Sequence, residues 1–121
     1  MEILCIELTR ETPQVLFNGD RGRFVITGKS YPENVNNFFQ PIFEYIELYK
    51  QNPKERTVID FNWLYYNTAT SKMIMKMIMF LKDVSKEFEI NWYYKEGFDL
   101  IAEKGEEIKE VLGVNLNIIK L

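Results

Sequence analysis

Thr57-Val58-Ile59-Asp60-Phe61-Asn62-Trp63, followed directly by Leu64-Tyr65-Tyr66-Asn67-Thr68-Ala69-Thr70-Ser71-Lys72, decides the fold class. The first seven residues are rich in β-branched and aromatic side chains and apolar enough for a strand in the middle of a sheet. Leu64 to Thr68 reads as a loop, and a long helix follows to about Glu87. A core strand feeding a capped helix is half of a crossover unit, so the chain on either side should supply further strands of a layered α/β domain.

Upstream, Pro32 to Gln51 carries Val35, Phe38, Phe39, Ile42, Ile46 and Tyr49 on one helical stripe. Ser30 or a neighbour is expected to cap it, and Pro41 predicts a kink or a break into two shorter helices. Three strand signals precede it: Ile3 to Leu8, Gln14 to Asn18 and Arg23 to Thr27, the last two joined by the hairpin turn Asn18-Gly19-Asp20-Arg21-Gly22. Downstream, Glu89 to Tyr94 alternates as a strand. A third helix follows, with Phe98, Ile101, Ala102, Ile108 and Val111 at core spacing and Gly105 weakening its middle, and Val114 to Leu121 closes the chain. The predicted order is β-β-β-α-β-α-β-α-β, one α/β domain over residues 1–121 with parallel neighbours in its second half.

Composition narrows the chemistry. The 121 residues are 46 % apolar and 15 % aromatic, too apolar for a disordered tail. Fifteen Lys plus Arg against eighteen Asp plus Glu give a net charge of −3, which supplies no basic surplus for nucleic acid. There is no histidine, which removes Ser-His-Asp and Cys-His catalysis and histidine-ligated metal sites. The single cysteine, Cys5, cannot form an intramolecular disulfide and sits among Ile3, Leu4 and Ile6, as expected for a buried, inert thiol. The most apolar run, Met73 to Leu81, is interrupted by Lys76 and too short to span a bilayer. A cytoplasmic protein without membrane or cofactor requirements is the expectation.

The stretch Tyr66 to Lys72 holds the most chemistry. Asn67, Thr68, Thr70 and Ser71 can all cap a helix, because their side-chain oxygens accept from the free N–H groups of a first turn. The sharper reading is that one hydroxyl accepts a phosphate, with the positive helix end and Lys72 near by to accommodate it. On the predicted helix, Met73, Ile74, Met77, Ile78, Leu81, Val84 and Phe88 form a core face. Lys72, Lys76, Lys82, Asp83 and Lys86 lie opposite, and Met75 and Met79 fall on that charged side. Two methionines there suit an adaptable binding surface; a well-buried helix explains them equally well. The carboxylates Asp60 and the i, i+4 pair Asp83 and Glu87 could serve a small enzyme, although the pair is interleaved with Lys82 and Lys86 as in an ordinary solvated face. No phosphate-binding or metal-binding motif occurs.

Four stretches in order, Thr12-Pro13, Gly28-Lys29-Ser30-Tyr31-Pro32-Glu33-Asn34, Tyr66-Asn67-Thr68 with Ser71-Lys72, and Ile90-Asn91-Trp92-Tyr93-Tyr94, make the whole chain resemble the SiaC-type bacterial regulatory phosphoproteins. The resemblance implies a STAS-like domain, like that of anti-anti-sigma factors, with a mixed sheet and helices mainly on one face. It implies a non-catalytic switch phosphorylated on the threonine of Asn-Thr, here Thr68, with Thr70 and Ser71 as alternatives and Asn67, Ser71 and Lys72 as support. A cognate Ser/Thr protein kinase and a metal-dependent Ser/Thr phosphatase would set its state. The unmodified form would bind a diguanylate cyclase in cyclic-di-GMP and biofilm signalling, with Tyr66, Lys72, Met75, Lys76 and Met79 as the partner face. An anti-sigma kinase is the alternative partner. Ala69 and Thr70 stand where the family has a run of small hydroxyl residues.

Overall fold

The computed structural model describes residues 1–121. The chain runs β1 (Ile3–Ile6), β2 (Gln14–Asn18), a single 3-10 turn (Gly19–Arg21), β3 (Arg23–Ser30), α1 (Val35–Gln51), β4 (Arg56–Tyr66), α2 (Thr68–Leu81), β5 (Glu87–Tyr94), α3 (Asp99–Leu112) and β6 (Leu116–Lys120). The six strands form one mixed sheet in the order β1-β2-β3-β4-β5-β6. The two hairpin pairings are antiparallel and β3 through β6 are parallel. Each crossover steps one strand in the same direction. With a common right hand, all three helices are therefore carried to the same face of the sheet, where α1 packs on α2 and α2 on α3.

Side-chain alternation then divides the sheet in two. Phe17, Phe24, Ile26, Ile59, Phe61, Trp63, Ile90 and Trp92 point under the helices and are fully buried. They meet Phe39, Ile42, Ile46 and Tyr49 of α1 and Ile74, Met77, Ile78 and Leu81 of α2 in one core. The other face is uncovered. Cys5, Leu16, Val25, Asp60, Asn91 and Asn117 form one transverse row across it. Asp60 accepts from Arg23 at 2.5 Å and from Asn91 at 2.8 Å, and Asn117 donates to Asn91 at 3.1 Å. Cys5 is accordingly exposed rather than buried. Leu4 and Ile6 take the inward positions of that edge strand, and an unbroken apolar run such as Ile3-Leu4-Cys5-Ile6 does not reveal which parity faces in.

Several boundaries differ from expectation. α1 starts at Val35, with Asn34 as its cap accepting from the Asn37 N–H at 3.0 Å, while Ser30 ends β3 and is buried. α1 also runs unbroken through Pro41, which lies on its exposed side. β4 extends to Tyr66, so the expected loop from Leu64 is strand up to Asn67. α2 ends at Leu81, six residues before the expected end at Glu87. The cause is a hydrogen-bonded ring at the opposite end of the sheet from Tyr66. Ser85 donates to the Lys54 carbonyl at 2.6 Å and lies 2.6 Å from the Thr57 hydroxyl. Thr57 in turn lies 2.6 Å from the Tyr49 hydroxyl, which accepts from the Lys54 N–H at 3.2 Å. That ring draws residues 82–86 into a turn, so Val84 leaves the helix and Phe88 belongs to β5. Asp83 is in the turn and Glu87 opens β5; they are not the helical i, i+4 pair.

In α3, Ile101, Gly105 and Ile108 are buried, but Phe98 and Val111 are 39 % and 69 % exposed and do not join the core. Gly105 proves to be a contact: the Trp92 indole lies against it so closely that a Cβ there would be 2.6 Å from Trp92 Cδ1.

Candidate functional site

The parallel strands all end on one side, with Ser30, Tyr66 and Tyr94 at their carboxyl ends. That edge is where open α/β sheets place their binding sites, because the crossovers leave a crevice outside the strand ends. Here a crevice of about 320 Å³ lies between the end of β4, the start of α2 and one side of α3. Tyr65 and Tyr66 contribute from β4; Asn67, Thr68, Ser71 and Met75 from the turn and α2; Lys104, Glu107, Ile108 and Val111 from α3.

Its α2 wall follows from local capping. The Asn67 side chain accepts from the Thr70 N–H at 2.9 Å, and the Asn67 carbonyl accepts the first helical bond from Ser71 at 3.0 Å. Thr68 is therefore the first residue of the helix. Its N–H and that of Ala69 lie ahead of the first helical acceptor and have no intrahelical partner. The hydroxyl residues then separate by burial. Thr68 is exposed, Ser71 half-buried, and Thr70 fully buried. Thr70 Oγ1 donates to the Ser30 carbonyl at 3.1 Å and lies 2.8 Å from Ser30 Oγ, so the Ser30 hydroxyl supplies the second proton. Thr70 is thus a structural tie between β3 and α2, its hydroxyl buried and engaged. Thr68 and Ser71 are the open positions.

The α3 wall brings a residue that the chain order hid. Lys104 Nζ sits 4.3 Å from the Tyr66 ring centroid and 5.8 Å from that of Tyr65, and donates to the Tyr66 carbonyl at 3.4 Å. No carboxylate lies within ion-pair distance of it. Tyr66 itself is only 2 % exposed, wedged between Trp63 and Trp92 at centroid separations of 5.4 and 6.1 Å. Burial pushes its phenol well above the ordinary tyrosine value, with Glu107 adding to the shift.

The expected partner face is distributed around α2. Lys72 is exposed, Met79 is 47 % exposed and Met75 is half-buried in the crevice. Lys76 turns towards α1, with Nζ 4.6 Å from the Phe43 ring, and belongs to a separate groove between α1 and α2. Tyr66 reaches the crevice only as part of its buried floor. The enzyme candidates are not gathered here: Asp60 is engaged by Arg23 and Asn91 on the uncovered sheet face, and no group of three or more Cys, Asp or Glu is placed to hold a metal ion. No helix is long and apolar enough to cross a membrane.

Residues 6–121 match the family described as SiaC family regulatory phosphoprotein. The chain belongs to the SiaC family. An uncharacterized protein of Pseudomonas aeruginosa strain UCBPP-PA14 is 27 % identical over 113 residues, covering 91 % of this chain and 90 % of that one. SiaC of Pseudomonas aeruginosa superposes over the full length of both chains with a TM-score of 0.89 at 26 % identity. A second structure, of the diguanylate cyclase SiaD in complex with its activator SiaC from the same organism, matches 98 % of this chain and 99 % of the other, with a TM-score of 0.89 and 26 % identity. The mixed α/β architecture of this SiaC-family chain is thus that of a regulatory phosphoprotein.

Proposed function

We propose that this chain is a non-catalytic signalling switch, phosphorylated on Thr68, whose unmodified form binds and activates a diguanylate cyclase. The observation that carries the reading is the sorting of hydroxyls at the start of α2: Thr68 is open at the first helical position, while Thr70 is sealed by Ser30. Family membership and the SiaD–SiaC complex formed by a similar protein support the regulatory role and the partner class. A Ser/Thr protein kinase and a metal-dependent Ser/Thr phosphatase would write and erase the mark.

Magnitudes favour control of binding over control of folding. A phosphate adds about −1.5 to −2 charge, and a helix N-terminus returns about 0.3–2 kcal/mol to a negative group. At an exposed residue the fold tolerates that. Under a docked partner, a charge buried without its counter-ion costs about 3–5 kcal/mol, which is two to three and a half orders of magnitude in affinity.

Peptide mass spectrometry on protein from its native cells, purified with phosphatase inhibitors, tests the site. The expected phosphate is on Thr68. Calorimetric titration with the cyclase tests the consequence: Thr68→Asp and Thr68→Glu weaken binding and leave the melting curve within about 0.5 kcal/mol of the unsubstituted protein. Phosphate on Ser71 alone, or equal cyclase affinity for unmodified and Thr68-phosphorylated protein, overturns the reading.

A further inference from the structure

We propose that Lys104 of α3 is the counter-ion for a phosphate on Thr68, and that pairing draws it off the tyrosine rings it now covers. This rests on the assignment of Thr68 as the phosphorylated residue. Thr68 and Lys104 are opposite walls of one 320 Å³ crevice, so a phosphate on the threonine projects into a space that the lysine already borders. Lys104 is half-buried, and without phosphate its charge is met only by the faces of Tyr66 and Tyr65 and by one long bond to a carbonyl. Such cation–π contacts are weak beside a charge-assisted bond to a dianion.

The other charged groups at the crevice set the balance. Glu107, one turn along α3, lies on the same wall and opposes the phosphate. Lys72 is exposed on α2 and is not among the residues lining the crevice. The crevice therefore holds one cation and one anion of its own, and neither has an ion-pair partner. When Lys104 moves to the phosphate, the Tyr65 and Tyr66 rings lose their cover and α3 acquires a bond to the start of α2. The modification is then sensed by a second helix as well as by the residue that carries it.

The test uses the full chain with phosphothreonine installed at position 68 during translation, which requires no kinase. The second ionisation of the phosphate, ordinarily near pH 6, is followed by phosphorus NMR. Lys104→Met keeps the apolar stem over the tyrosines and removes the charge. It should raise the phosphate pKa by about 0.5–1 unit, as loss of a nearby opposite charge does. Lys104→Arg should keep the low value, and Glu107→Gln should lower it further. Equal pKa values in the phosphorylated parent and Lys104→Met overturn the proposal, as does a shift produced by Lys72→Met and not by Lys104→Met. If Lys104→Met fails to fold, a phosphate pKa in Lys104→Gln equal to that of the parent overturns it in the same way. Absence of Thr68 phosphate in native cells would overturn the switch reading while leaving this titration to stand or fall separately.

Discussion

The Thr70 hydroxyl donates to the carbonyl of Ser30 and lies 2.8 Å from the Ser30 hydroxyl, closing the last residue of β3 onto the first turn of α2 with both side chains wholly buried. The same Ser30 carbonyl accepts from the Asn67 N–H at 3.1 Å. One strand end therefore fixes both the cap and the third residue of the helix that carries Thr68.

Replacing Thr70 by valine keeps the shape and removes the donor, leaving the buried Ser30 hydroxyl without its acceptor. The expected cost is about 1–3 kcal/mol of stability in urea unfolding. Ser30→Ala should cost less, because Thr70 still donates to the backbone carbonyl. Phosphopeptide mapping should find nothing on Thr70 in folded protein. A Thr70→Val variant as stable as the parent would show that the tie contributes little.

Gly105→Ala separates two explanations of the glycine. On an open helix the substitution stabilises by about 1 kcal/mol. Here the new methyl carbon would stand 2.6 Å from Trp92 Cδ1 and 2.7 Å from its Nε1. The indole cannot retreat freely, since it is fully buried and donates to the Ile101 carbonyl at 2.8 Å. Overpacking of this kind costs about 1–3 kcal/mol, so the net effect should be destabilising, with an altered tryptophan emission spectrum. An increase in stability would mean that α3 shifts away from the sheet without loss.

The fold was legible wherever one periodicity dominated. The stripe from Val35 to Tyr49 and the apolar run from Thr57 to Trp63 each specify an element type and a buried face. Legibility failed where a tertiary contact overrode local pattern. The end of α2 is set by Ser85 reaching Lys54 and Thr57, residues that precede the helix. The parity of Ile3 to Ile6 is set by its register with Val15 to Asn18. In the site, Asn67, Thr68, Thr70 and Ser71 were all readable as possible caps because capping is local, and only the family resemblance set Thr68 ahead of Thr70 and Ser71. What distinguishes Thr70 is Ser30, and what completes the crevice is Lys104. Neither lies in the stretch that announces the helix, and a lysine on an amphipathic helix carries no sequence mark of the residue it faces. A hint was present in Gly105, because an unexplained glycine at a core position signals a close approach.

Alkaline pH gives a separate reading of the crevice floor. The Tyr66 phenol is raised above the ordinary tyrosine value by burial and, second, by Glu107. A raised folded-state value means that the unfolded chain ionises first, near pH 10, and then binds fewer protons than the native protein. The stabilisation from keeping this phenol neutral is thus fully present below about pH 9, and stability falls as pH rises through 10 towards the folded-state value. Tyr45 is shifted upward as well, chiefly by burial, and adds a background of the same sign. The difference between parent and Tyr66→Phe isolates the share of Tyr66. Urea midpoints measured from about pH 8 to 11 should fall less steeply in Tyr66→Phe than in the parent. Parallel slopes would place the phenol in water-like surroundings and remove Tyr66 as the dry floor beneath Lys104.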